Sequence, residues 1–119
     1  MWGIVEQNMY EETFVLFILN PENKLRQEFL NGSAGFVFKK AYNVAEKKGW
    51  ETKKLSSGEI KAFAVPEEYG VIIQTLISYA CMCYYPDIED KAELYDNVDV
   101  YFISDEEKMR EVIDNLEDF

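Results

Sequence analysis

Histidine is absent from the 119 residues. With it go the Ser-His and Cys-His nucleophile pairs, the imidazole general base and every His-ligated metal centre. Cysteine is scarce: Cys81 and Cys83 are the whole complement, too few for a disulfide scaffold and not in a Cys-x-x-Cys spacing. At i and i+2 on a helix they point about 200° apart and cannot bridge to each other, so buried, reduced thiols are expected. No apolar run is long enough for a membrane span, and the opening MWGIVEQNMYEE has neither a basic region nor a signal-cleavage pattern, which makes the cytoplasm the expected compartment. Gly-x-Gly-x-x-Gly and Gly-x-x-x-x-Gly-Lys are both missing, which removes the common phosphate cradles, and no cofactor is expected. No repeat, low-complexity tract or Pro/Gly/Ser-rich linker divides the chain, so residues 1–119 read as a single domain.

What is present is apolar and acidic. Apolar residues make up 48% and aromatics 15%, enough to bury one core. The net charge is −11 and unevenly placed. Residues 87–119 hold 13 acids against Lys91, Lys108 and Arg110, a net of −10, whereas residues 1–86 hold ten acids and nine bases. Between Lys39 and Lys61, seven lysines face three glutamates, a local +4. An acidic pole of this kind opposes direct nucleic-acid binding, which needs a basic surface, and favours a cationic protein partner. The lysine pairs at 39–40, 47–48 and 53–54 read as a solvated face, since no aromatic platform or glycine-rich loop accompanies them.

The local patterns predict an α+β fold: a mostly antiparallel sheet of about five strands covered by three to four helices, in the order ββααββαβα. Residues 2–6 and 13–19 read as a hairpin. Asn20-Pro21 reads as a helix start with Gly32 as its stop, Leu25 and Phe29 sharing a face. Val37, Ala41, Val44 and Ala45 form the inward stripe of a helix over 34–48. Residues 50–55 and 59–65 form a second hairpin about Ser56-Ser57-Gly58, and Pro66 ends its strand and starts a helix. That helix, 67–84, is apolar almost all round and is expected to be the central, most buried one. A helical turn at 91–95, a strand at 97–103, and a last helix capped by Ser104 through Glu107 complete the order, with Met109, Val112, Ile113 and Leu116 facing inward.

The segment FAVPEEYGVIIQTL, residues 63–76, resembles the Pro-x-x-Tyr helix start of the SUKH superfamily, which includes toxin-immunity proteins. Tyr85-Pro86-Asp87 stands where that family's Asn-Gly-Gly type of turn would follow the helix, so the resemblance ends there and assigns no family.

Among the 23 acids no spacing singles out a general acid/base pair, and no catalytic residue is named. Asp87, Glu89, Asp90, Glu93 and Asp96 lack the turn glycine and the spacing of a calcium loop, so no metal is expected. Tyrosines interleave with these acids, and a ring beside carboxylates suits a protein interface. The expectation is a non-catalytic acidic binding protein that inhibits a cationic macromolecule, such as a toxin nuclease or a nucleic-acid-handling defence enzyme. Asp87, Glu89, Asp90, Glu93, Asp96 and Asp99 would carry the contact, with Tyr85 and Tyr95 as anchors. The alternative is a small structural or regulatory subunit working through an apolar homo- or hetero-oligomer interface, for example a homodimer built on a sheet edge or on the central helix.

Overall fold

The computed structural model describes residues 13–20 and 22–116. Along the chain lie β1 (Phe14–Leu19), α1 (Arg26–Asn31), α2 (Ser33–Lys48), β2 (Thr52–Lys54), β3 (Ile60–Pro66), α3 (Glu67–Cys83), α4 (Lys91–Tyr95), β4 (Val98–Ile103) and α5 (Glu106–Asp114). The fold is α+β. Its four strands pair in the order β2-β3-β1-β4, every pair antiparallel. The strand expected over residues 2–6 lies outside the described residues.

β1 reads FVLFIL and alternates between two buried faces, because helices cover both sides of the sheet. Val15, Phe17 and Leu19 pack with Phe63 and Val65 of β3 against α1, α2 and α3. Phe14 and Leu16 pack with Ala62 and Ala64 against Met109 and Ile113 of α5. Phe63 stacks on Phe17 at 5.0 Å and receives the edge of Phe38 at 5.1 Å. Aromatic pairs of this geometry contribute about 0.5–1.5 kcal/mol beyond their burial.

Several local expectations shift for identifiable reasons. The helix expected from Asn20 begins at Arg26: the Asn20 side chain accepts from the Glu22 N–H, and that of Asn23 from the Leu25 N–H, so these amides build turns that compete with the helix. α2 turns Ala34, Phe38, Ala41, Tyr42 and Ala45 inward, and leaves Val44 exposed. The cap of α5 is Asp105, whose carboxylate accepts from the Glu107 and Lys108 N–H groups; Ser104 lies one residue too early. Gly58, at φ 93°, supplies the left-handed residue that turns β2 into β3.

The largest correction concerns α3. It buries Gly70, Ile77, Ala80 and Cys81, small residues for the most part, and exposes the bulky ones. The cause is a close approach to the sheet: a Cβ added at Gly70 would lie 2.3 Å from Cγ2 of Val15. The aromatic side chains of β1, β3 and α2 already fill the interior, so α3 fits only with its small residues inward.

Candidate interaction surfaces

The acidic segment is held in place from beneath. Tyr85, expected as a surface anchor, is buried; its hydroxyl accepts from the Ala34 N–H at 2.9 Å and donates to the Phe29 carbonyl at 3.0 Å. Its ring occupies the space Gly32 leaves, since a Cβ there would fall 2.4 Å from Cε2. Burial pushes the Tyr85 phenol above its ordinary pKa. The Lys91 ammonium donates to the Tyr85 carbonyl. Asp90 caps α4 by accepting from the Glu93 N–H at 2.9 Å, and Leu94 is buried beneath it. Asn23 donates to the Glu93 carbonyl at 2.8 Å, and the Asn97 carbonyl accepts from the Asn20 N–H at 2.7 Å.

On this base Asp87, Glu89, Asp90 and Asp96 are exposed and Glu93 is half-buried; Asp99 is exposed too, but paired with Ile18 it lies on the α5 face of the sheet, opposite α4. The ion pairs among the described residues join Arg26 to Glu59 and Arg110 to Glu51 and Glu106; none engages these six carboxylates. Among the described residues no three potential ligands converge on a metal position. Tyr95 is half-buried, its hydroxyl accepting from the Gln74 amide at 3.3 Å. Of the neighbouring tyrosines, Tyr84 and Tyr101 are exposed, and Tyr101, paired with Leu16, shares the α5 face of the sheet with Asp99.

A second surface bears on the alternative of an apolar interface. α3 exposes Tyr69, Val71, Ile72, Leu76, Tyr79 and Met82, with Ile72 at 58% and Met82 at 70%. Phe36 and Val44 of α2 lie exposed nearby, on the α2 side of the same helix. Between α2 and α3 runs an apolar groove of about 440 Å³, with Phe36, Lys40, Val44, Trp50, Tyr69, Ile73 and Leu76 among its walls. On the opposite flank, Ser78, Cys81 and Met82 of α3 meet Lys91, Ala92 and Tyr95 of α4 around about 390 Å³. The uncovered arc of α3, centred on Ile72 and Tyr79, lies between these flanks. Its signal was in the sequence: Tyr69, Ile72, Leu76, Tyr79 and Cys83 follow 3–4 spacing, while Gly70, Ala80 and Cys81 mark the face that can pack closely.

The two cysteines separate accordingly. Cys81 is buried and Cys83 exposed, which corrects the expectation that both are buried. Burial pushes the Cys81 thiol up to about 11, against an opposing pull from the Lys91 charge.

Comparison with protein-family models, with curated proteins and with solved structures finds no match. The likeness of residues 63–76 to a SUKH helix start therefore rests on those residues alone. No helix among the described residues is long and apolar enough to cross a membrane.

Proposed function

We propose that this is a non-catalytic, cytoplasmic binding protein whose acidic pole occupies the cationic surface of a nucleic-acid-handling protein, such as a toxin nuclease or a defence enzyme, and thereby inhibits it. The observation that carries the reading is the set of six carboxylates from Asp87 to Asp99, five of them exposed and none in an ion pair among the described residues. Unpaired carboxylates on a tethered segment can stand where phosphates would lie on a basic groove, at a small ordering cost. Tyr84 supplies an exposed ring at the start of this segment and Tyr101 one on the sheet face of Asp99, in place of the buried Tyr85. Steering by such a pole raises association rates by about 10- to 1,000-fold and weakens with salt.

The test is capture with the full chain as bait at about 0.1 M and about 1 M salt, where the screening length falls from about 10 Å to about 3 Å. Any captured enzyme is then purified and assayed with added protein. The expected result is a basic nuclease or nucleic-acid-binding enzyme held at low salt, weakened at high salt, and inhibited on addition of this protein. Replacing Asp87, Glu89, Asp90 and Glu93 together by Ser should abolish both capture and inhibition; unchanged inhibition by that variant would remove the acidic pole from the function.

A second reading, a subunit that works through an apolar interface, is favoured by the uncovered arc of α3. Interfaces commonly combine an apolar centre with a charged rim, and this arc has charge on both flanks.

A further inference from the structure

Resting on the acidic pole as the working surface, we propose that the partner docks at the open edge of β4, where an extended segment bearing lysine or arginine adds to the four-stranded sheet as a further, antiparallel strand. The ladder shows which groups are free to receive it. The Asn20 N–H donates to the Asn97 carbonyl, and the Glu67 N–H to the Thr13 carbonyl. With the antiparallel registers on either side of β1, these bonds fix the alternation: odd residues of β1 turn their main chain to β3 and even ones to β4. Asp99, Tyr101 and Ile103 therefore bond to β1. Val98, Val100 and Phe102 direct their N–H and C=O groups outward, where no strand pairs with them among the described residues. Such a row of main-chain donors and acceptors is a template for strand addition.

The two edges of the sheet differ. β2 is three residues long, carries Lys53 and Lys54, and is interrupted by a register shift against β3, features by which proteins close an edge to further pairing. β4 has six residues, VDVYFI, with no lysine, proline or register shift. Tyr101 and Phe102, 51% and 52% exposed, stand on its two faces, so an added strand meets a ring on each side. Charge selects the occupant. From Ala92 to Glu107 the chain holds six acids and no base. Asp96 and Asp105 lie just before and after β4, and Asp99 lies within it. All three are exposed and outside the ion pairs among the described residues. A second copy of this chain, itself at −11, would bring the same acids against these, which like-charge repulsion disfavours. A basic strand places opposite charge along the edge.

The probe is a labelled octapeptide of alternating lysine and valine, titrated with the full chain and followed by fluorescence anisotropy, with a peptide of alternating glutamate and valine as control. In the antiparallel pairing, lysines on the face of Asp99 turn their amides away from β4, and valines opposite Val100 and Phe102 turn theirs toward it. N-methylation of the valine amides should lower affinity about tenfold or more, and N-methylation of the lysine amides by less than about threefold. On the protein, Phe102→Pro removes an outward N–H and keeps every carboxylate and every bond to β1; proline is tolerated where the N–H faces no neighbour. It should abolish peptide binding, whereas Phe102→Ala, which loses only the ring, should weaken it by about two- to fivefold. Circular dichroism and the urea midpoint check that both variants fold. Absence of binding, equal affinity for the two methylated peptides or for the glutamate control, or a folded Phe102→Pro that binds like Phe102→Ala overturns the proposal. So does a dimer of the chain alone that Phe102→Pro dissociates, which assigns the edge to a second copy. Assay of a captured basic enzyme separates this proposal from the reading beneath it. Inhibition that Phe102→Pro retains overturns strand addition and leaves the acidic pole standing; peptide binding at the edge with no basic enzyme inhibited supports the docking site while the inhibitory reading falls.

Discussion

At the scale of single residues, space and solvation decide more than propensity. Gly70 sits inside α3, where alanine would ordinarily stabilise a helix by about 1 kcal/mol. Here an added Cβ meets both Cβ and Cγ2 of Val15 within 2.4 Å, and overpacking of that kind costs about 1–3 kcal/mol. Gly70→Ala is therefore expected to destabilise the protein, by about 1–2 kcal/mol net, read as a lower urea midpoint with an unchanged slope. The cysteines give a pH prediction. The folded Cys81 thiol titrates at about 11, against 9.0 for an ordinary thiol, so between those values the unfolded chain has lost a proton that the folded chain keeps. Folding stability contributed by this group is complete below about pH 9 and falls as pH rises toward 11. Cys81→Ala should flatten that part of the stability curve, measured by urea unfolding at intervals from pH 8 to 11.

At the scale of elements, side-chain caps set where α4 and α5 begin. α4 has five residues, too few to persist by propensity, and depends on the Asp90 cap, the buried Leu94 and the Lys91 tether. Asp90→Ala is expected to cost about 1 kcal/mol of stability in chemical denaturation, whereas Asp90→Ser, which retains a capping oxygen, should cost a few tenths. That difference is why serine is the appropriate replacement when the charge of the acidic segment is tested. Elements with a local signal were legible in the sequence: the β-branched and aromatic run of β1, the Gly58 turn, Pro66 at the strand-to-helix junction, and the turn at 91–95. The start of α1 was not, because Asn20 and Asn23 each offer a local side-chain acceptor and only the chain's path past Asn97 and Glu93 selects turns over helix.

At the scale of the whole molecule, two surfaces compete for the role of working face. The acidic pole is legible from composition, since 13 of the 23 acids lie in the last 33 residues. The apolar face is legible only as the alternative of an interface on the central helix, and its extent is not, because a helix that is apolar all round normally reads as buried on every side. The two surfaces predict different salt responses: acid-pole capture weakens steeply between about 0.1 and 1 M salt, while an α3-centred contact keeps its apolar part.

Sequence by itself determined the α+β class, the absence of imidazole chemistry, the concentration of negative charge in the last third, and the strands at β1 and β3. These follow from composition and short-range period. Which side of α3 faces water, that Tyr85 is sealed beneath α1 and α2, and that Cys81 and Cys83 differ in access were decided only by the tertiary structure. Each depends on how much room distant segments leave: Val15 beside Gly70, the aromatic stack of Phe17, Phe38 and Phe63 above the sheet, and the gap at Gly32. A local pattern records which side chains are apolar; competition for interior volume settles which of them are buried.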